Sequence, residues 1–583
     1  MWTSNLTRYH AFLFPLFFTT ALSLYLLIGN ARNWVLSGKV VGIAQAHRAT
    51  IQLIIQVISH ILGWAQILVI CRLINLELRL KFNHAPLTLN ALQMWSDLTV
   101  PRLNLGLPFK YFVLLLGFAI FSILPSSLWA GSLTPVIATT IYQSSLLIPN
   151  YANVSLIKEY PSEIGASGPF VRNRQGLFTY NVGIQLAGQL LSSASAATPP
   201  DNSERLHGKL DNSGFTYINR SYGVGASVGL LDQPIITNDL TVSYSYLEDG
   251  YVPTVSCIYN QSSNFMLQNT TYQWVYEAYG ELPDSDSGPE ESSYIGHTMD
   301  SIVAIGVAHF AASPGAGGDS GDEQQRAPNL RRYIAFAAGL DYEFLDMVQC
   351  TVDFTPTRFN VSVQLGGRNI TVTPLSGSYD IDPNRNLTNT LLRQFELLSN
   401  DETNLYVSLV GNAFNDSITD FQTAQTALGH AIDANQSTLE GVANSIVAMT
   451  DDMLQAYASA QLIVGNKTRQ ASVQVEVEAV QFGARPFIVA LFVFNSCLLL
   501  LVAEEAVRTQ LWRRVSGFNY ADIRHAIVAA STGGSGLIDF VHSEGKSEKT
   551  KARGDDIEIM MDKTIVELGR CRGRPALILG KSD

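Results

Sequence analysis

The sequence predicts a membrane protein of the α+β class, with four transmembrane helices and a large β-rich plus helical ectodomain between the third and the fourth. Three observations predict it. Apolar runs lie near 11–29, 51–74, 110–130 and 486–503, each at or close to the roughly 20 residues that cross a bilayer. Ten Asn-X-Ser/Thr sequons crowd between the third and fourth runs, at Asn153, Asn219, Asn260, Asn269, Asn360, Asn369, Asn386, Asn415, Asn435 and Asn466. A sequon is glycosylated only on the lumenal side of a secretory membrane. Charge divides the same way: residues 131–484 hold 15 Lys/Arg against 36 Asp/Glu, and the remainder holds 23 against 14.

In chain order, the first run reads as an uncleaved anchor. Its apolar core is longer than a signal-peptide h-region, and no clear small-residue cleavage site precedes Arg32. The second run is the most polar. Gln52, Gln56, Ser59, His60, Gly63 and Gln66 recur at helical spacing on one face, which in lipid is expected to point into the helix bundle. The stretch 86–105, with Leu89, Leu92, Met94 and Trp95, reads as an interfacial segment. Arg79, Lys81 and Arg102 follow the second run, and Arg508, Arg513 and Arg514 open the tail. By the positive-inside rule both flanks are cytoplasmic. Both termini are then cytoplasmic, the ectodomain is extracellular on a plasma membrane, and a further sequon at Asn5 is on the wrong side. The short outer loop with Arg32, Lys39 and Arg48 runs against the rule.

The segments are therefore 1–130 with three transmembrane helices, 131–375 as a β-rich ectodomain, 376–485 as a helical segment leading to the membrane, 486–505 as the fourth helix, and 506–583 as a cytoplasmic tail. Within 131–375, residues 241–246, 252–259, 359–365 and 370–372 alternate as strands do. The stretches 283–293 and 313–328 read as disordered loops, and 295–312 is apolar enough to return to the core. From 387 the period becomes helical. One helix is expected within 387–414. A longer one runs from Asp416 towards Val480, with a break near Gly429 or Gly441. Its seam is Phe421, Leu428, Ile432, Leu439, Val442, Ile446, Met449 and Met453, with Asp433, Ser437, Glu440, Asn444 and Asp451 opposite. Asn435 falls on this seam, so its sequon is expected to be poorly occupied, leaving nine for glycans. The tail offers a helix at 519–530 and a hairpin from 557–568 and 576–579.

Chemical motifs are sparse. Gly225-Ala-Ser-Val-Gly229 fits the nucleophile-elbow spacing around Ser227, but Pro234 and its turn residues leave no room for the helix that the motif needs. Asp380 to Asn386 begins like a calcium loop, yet Arg385 and Leu391 stand where glycine and glutamate belong. Zinc, Walker and dinucleotide spacings are missing. No catalytic residue, cofactor or metal is assigned. Tyr244, Tyr246, Tyr251, Tyr259, Tyr272, Trp274, Tyr276 and Tyr279 form an aromatic tract, read as core and cross-strand pairs, or, where exposed, as a surface for sugars or peptides. Cys71 and Cys497 lie in apolar runs and Cys571 in the tail, leaving Cys257 and Cys350 outside. Two cysteines in an oxidising compartment are expected to pair. The acidic outer region disfavours nucleic acid and is compatible with cationic ligands.

Several stretches resemble a family of uncharacterised multipass membrane glycoproteins of filamentous ascomycete fungi. They are Ser-Leu-Trp-Ala-Gly-Ser-Leu-Thr-Pro at 127–135, Arg-Ser-Tyr-Gly-Val-Gly-Ala-Ser-Val-Gly-Leu at 220–230, 251–265 around Cys257, Gln-Cys-Thr-Val-Asp-Phe-Thr-Pro at 349–356, and 519–534. The resemblance implies that both outer cysteines sit in recurring blocks, which supports their pairing, and that 225–229 has a non-enzymatic setting. The expected function is non-catalytic surface recognition, sensing or scaffolding. Its partners would be the membrane, an extracellular ligand or cell-wall component, and other subunits in the bilayer. The alternative is a transporter or channel component using the polar face of the second run, where His60 is the one ionisable group.

Overall fold

A computed structural model describes residues 13–82, 87–100, 102–150, 186–211, 213–285, 288–308, 330–375, 385–400, 402–463, 468–512, 519, 565–571 and 574–579. Asn5, Asn153, Asn466, His309, the stretch 313–328, residues 380–384 of the calcium-like turn, and residues 520–564 of the tail lie outside them. The chain forms two compact units, one of residues 1–140 with 478–583 and one of residues 141–477.

The chain opens with α1 (Leu13–Ala31), β1 (Leu36–Ser37), α2 (Lys39–Ala46), α3 (Arg48–Phe82), β2 (Leu87–Thr88), α4 (Leu89–Thr99), α5 (Phe109–Phe121), α6 (Leu124–Leu133) and β3 (Pro135–Pro149). Then come α7 (Ala187–Ser195), β4 (Leu206–Gly208), β5 (Thr216–Ile218), β6 (Thr241–Tyr259), β7 (Met266–Asn269), β8 (Val275–Gly280), β9 (Glu290–Ile295), β10 (Val303–Val307), β11 (Arg331–Ala338), β12 (Val348–Gln364) and β13 (Asn369–Pro374). The series ends with α8 (Arg385–Asn400), α9 (Leu409–Ala427), α10 (Ala434–Ile463), β14 (Thr468–Phe482), α11 (Arg485–Arg508), β15 (Ile565–Cys571) and β16 (Arg574–Leu579).

The first unit holds four helices long and apolar enough to cross a membrane: Leu13–Ala31, Arg48–Lys81, Phe109–Leu133 and Arg485–Arg508. The third is α5 and α6 end to end. The break falls at Ser122 and Ile123, and Pro125 occupies the first turn of α6, where its missing N–H is not needed. Trp129 is fully buried among Leu26, Leu62, Ile488 and Leu491. A Cβ on Gly63 would come 2.6 Å from the Ser126 nitrogen, so only glycine lets α3 and α6 approach this closely. The stretch read as interfacial contains α4. Thr88 caps it by accepting from Ala91 N at 3.3 Å, and Asn90, Met94 and Leu98 form its buried face. The tail hairpin is β15 with β16, and β15 also pairs with β2.

The second unit is built on the antiparallel ladder of β6 and β12. Its register runs unbroken from Val348↔Tyr259 to Gln364↔Ser243. The other edge of β12 is shared by β11 and β13, and β14 pairs with β6. Tyr246 lies between Val361 and Val473, and Tyr244 between Val363 and Val475. These aromatic and β-branched neighbours are favourable cross-strand pairs. Sequence alternation reads 241–246 and 252–259 as two strands, but β6 is continuous. The buried phase switches at Gly250, from Tyr244, Tyr246 and Glu248 to Tyr251 and Pro253. One half of the ladder joins a core with Phe359, Val361 and Val363. The other half joins a core with Cys350, Val352 and Phe354 beneath Leu391, Phe395, Phe414 and Ile446 of the helices.

Three further expectations change. The long helix is two: α9 ends near Leu428, and Gly429 takes a left-handed φ of 79°, the usual glycine helix stop. Gly441 stays inside α10, packed on Ile418. Val442, Ile446, Met449 and Met453 are buried as the seam requires, but Leu428 is exposed. Asn435 is also exposed, because it lies in the first turn of α10 after the break. Packing therefore does not shield its sequon. Residues 468–482 are not helix but β14, where Val473, Val475 and Val477 alternate with Gln474 and Glu476. A strand, not an amphipathic helix, precedes α11. Finally, 290–293 is not loop but part of β9. Its inward polar residues are satisfied, Glu290 by Ser285 at 2.6 Å and Ser292 by Glu396.

Cys257 and Cys350 face each other in the ladder and form a disulfide across a separation of 93 residues. Replacing both by serine is expected to lower the stability of this unit by roughly 4–5 kcal/mol in the chain-entropy model, read as a lower denaturation midpoint of the full chain in detergent.

Candidate functional site

The surface that stands out lies on the small sheet β7–β8–β9. Its inner face is core: Ala278 and Tyr294 pack with Phe265, Leu282 and Ile302. Register places Glu277 between Gln268 and Ser293, and Tyr279 between Met266 and Glu291. These side chains form the opposite, uncovered face, where Met266, Tyr279, Glu291 and Ile295 are exposed.

Aromatic rings gather at one end of this sheet. Trp274 immediately precedes β8 and has φ 67°, a conformation that bulky side chains rarely adopt. Local bonds hold it there. Thr270 Oγ1 donates to Val275 O at 2.6 Å, and Gly296 N donates to Trp274 O at 3.1 Å. His297 N donates to Leu405 O at 2.8 Å, which draws in the loop that carries Tyr406. The His297 ring then stands edge-on to both neighbours, 5.6 Å from Trp274 and 5.4 Å from Tyr406. Trp274 remains 52% exposed, Tyr406 70% and nearby Tyr272 74%. Tyr and Trp are enriched at interfaces because one end of each ring is apolar and the other polar. The aromatic tract thus divides: Tyr244, Tyr246 and Tyr251 are core, while Tyr272, Trp274 and Tyr279 are surface.

Ser227 lies elsewhere, in a closed polar knot. Its Oγ donates to Leu147 O at 2.7 Å and the residue is fully buried. Gly225 and Gly229 both take left-handed φ, so the segment is a turn rather than a strand-to-helix elbow. Lys209 Nζ, also buried, donates to Asp211, to Ala226 O at 2.8 Å and to Val228 O at 2.6 Å. Gly229 N and Tyr244 Oη both donate to Asp232. Gly225 N donates to Glu248 Oε2 at 2.9 Å. The buried Glu248 carboxyl is pushed up to about 7, mainly by loss of solvent.

A second polar cluster escaped the sequence reading. Asp451, expected on the solvent face of α10, is buried and takes two bonds of 2.9 Å from Arg220. Beside it, burial pushes Asp452 up to about 6 against the pull of a Ser193 hydrogen bond. His207 Nδ1 is 3.9 Å from Asp452 and its Nε2 is 3.0 Å from Asn219 O. Burial lowers His207 to about 4, helped by Arg205. Ser193 bonds the carboxylate and not the imidazole, so the nucleophile–base link of a hydrolytic triad is not formed.

In the first unit the polar face of α3 is split. Ser59 and Gln66 turn inward, and Gln66 Nε2 donates to Asn495 Oδ1 at 2.6 Å. Gln52, Gln56 and His60 are exposed on the outer side, contrary to the expectation that the whole face points inward. Among the other sequons, Asn219, Asn269 and Asn415 are exposed, Asn260, Asn360 and Asn369 are half-buried, and Asn386 lies in α8. A depression of about 320 Å³ at the α9–α10 turn, lined by Gln422, Thr426, His430 and Ile432, collects no buried charge. Among the described residues no group of three or more His, Cys, Asp or Glu is arranged to hold a metal. No protein-family model, curated protein or solved structure matches the chain.

Glu248 gives a pH test. An unfolded glutamate ionises near 4.5, whereas the folded one keeps its proton to about 7. Its contribution to stability is thus full below about 4.5 and is lost as pH rises to 7. Glu248→Gln keeps an acceptor for Gly225 N without the ionisation. Compared with the native chain, the variant is expected to gain about 3 kcal/mol on going from pH 4.5 to pH 8, measured by denaturation at both pH values. Parallel pH curves would contradict the assignment.

Proposed function

We propose that the protein is an integral plasma-membrane glycoprotein that recognises a ligand without chemistry, through residues 141–477 displayed outside the cell. The observation that carries this reading is the exposed ring cluster of Trp274, His297 and Tyr406, with Trp274 held in a strained conformation. Four membrane-length helices, the Cys257–Cys350 disulfide and the exposed asparagines at Asn219, Asn269, Asn415 and Asn435 support the outward placement. Both termini lie on the cytoplasmic side, and the buried condition of Ser227 supports a non-enzymatic role.

A transporter or channel component is the second reading, favoured by Gln52, Gln56 and His60. These three are exposed on a membrane-length helix, where polar groups facing lipid are unfavourable. Because they face away from the neighbouring helices, a path lined by them would have to form between copies or with a partner. A flux in proteoliposomes that His60→Ala or Gln56→Ala abolishes would replace the recognition reading with this one.

The first reading is tested by presenting the full chain, in lipid nanodiscs, to surfaces bearing peptides and polysaccharides. At least one ligand class is expected to be captured. The Trp274→Ala/Tyr406→Ala double variant should weaken capture roughly tenfold, with an unchanged melting temperature because both rings are exposed. Capture that the double variant retains in full, or no capture of any ligand, overturns it.

A further inference from the structure

We propose that the Trp274 platform binds organic cations, specifically the ammonium and guanidinium groups of a Lys- or Arg-bearing peptide segment. The inference rests on the recognition reading above and names its ligand. Two independent observations carry it: the geometry of the rings and the charge of the segment that holds them.

The rings come first. Tyr272, Trp274 and Tyr406 leave most or half of their surface open. His297 meets two of them at steep interplanar angles, 82° and 70°, and leaves Trp274 52% and Tyr406 70% exposed. An aromatic face carries the negative lobe of its quadrupole and attracts a cation placed within about 6 Å. Trp is the strongest of the aromatic side chains in this role.

The charge comes second. Residues 259–308 contain seven acidic side chains and not one Lys or Arg. The platform therefore has no cation of its own from β7, β8 or β9 to occupy its rings. Glu277 and Glu291 lie on the uncovered face of the same sheet, with Tyr279 opposite Glu291. Three residues separate Glu277 from Trp274, a backbone span of at most roughly 10 Å. Two basic side chains of one peptide can span that distance, one over the rings and one at the carboxylates. Their methylene stems have Met266, Tyr279 and Ile295 to lie against, all exposed on this face. That apolar bed favours a basic peptide over an amino-sugar chain, which would reach the same charges without filling it. An anionic ligand would meet Glu277 and Glu291 with no Lys or Arg from residues 259–308 to compensate.

The experiment titrates the full chain in nanodiscs, following Trp fluorescence and heat, with three probes: a short Lys/Arg peptide, the same peptide with its lysines acetylated and its arginines replaced by citrulline, and a glucosamine oligomer. The basic peptide is expected to bind. Trp274→Ala should weaken it roughly tenfold, and Trp274→Phe, which keeps a ring, by less. Glu277→Gln with Glu291→Gln should weaken it severalfold and flatten its dependence on salt. Equal binding of the neutralised peptide, lost in Trp274→Ala, overturns the cationic assignment and leaves recognition standing. Preference for the glucosamine oligomer overturns the peptide assignment. If none of the probes binds in a Trp274-dependent way, the cationic proposal falls, while the broader panel of peptides and polysaccharides still decides whether the surface recognises anything.

Discussion

The second unit depends on the register between β6 and β12. A strand this long, 19 residues paired to 17, exceeds the usual five or six. It can stay ordered because each half is buried against a different core. Around Tyr244, Tyr246, Val361 and Val363 one face is covered, and around Tyr251, Cys257, Val352 and Phe354 the opposite face is covered. A slip by one residue would expose both sets at once. It would also part Cys257 from Cys350, which stand directly opposite only in the observed register. The disulfide and the two apolar patterns thus specify the same alignment. β11, β13 and β14 add to edges that this alignment defines, and α10 lies against β6.

Much of this was legible locally and little of it globally. The apolar runs are strong signals because a bilayer demands about 20 consecutive apolar residues, and the four helices follow. The seam of α10 from Val442 to Met453 was legible for a similar reason, since helical periodicity is unambiguous over several turns. The strand at Val473, Val475 and Val477 carries an equally clear period of two, which a helix continued towards Val480 overrides. The switch of buried phase at Gly250 made one strand look like two. Asp451 shows the limit of periodicity. Its position on the helix suggested solvent, yet Arg220, 231 residues away, makes it an interior group. The ring cluster was half legible: Trp274 stood out in the aromatic tract, but Tyr406 joins it only through the backbone bond between His297 and Leu405.

Several of this unit's scarce cations are held in ion pairs, from the buried Lys209 to the exposed Arg469. Lys209 is spent on Asp211 and two carbonyls, Arg220 on Asp451, Arg358 and Arg469 on Asp249, and Arg332 lies 3.6 Å from Asp284. A buried carboxylate needs such a partner or it keeps its proton. Glu248 and Asp452 take the second course, each held above the usual carboxylate range by burial. Lys209, Arg220 and Arg332 each take one carboxylate with them, so the excess of acid in 131–484, 36 residues against 15 basic ones, stays with the rest of the region.

The strained tryptophan belongs to this acidic region. A bulky residue in the left-handed region costs roughly 1–3 kcal/mol and persists only where its surroundings impose it. Here the bonds from Thr270 and Gly296 do so, yet the ring they position is not buried in compensation. Folding alone would be served as well by asparagine or glycine at position 274, which adopt this conformation readily. What a tryptophan adds at that point is a half-exposed ring against His297, in a stretch of chain without a single Lys or Arg. Under the proposed recognition role the strain is positioning for a ligand, and the sign of the surrounding charge selects a cationic one.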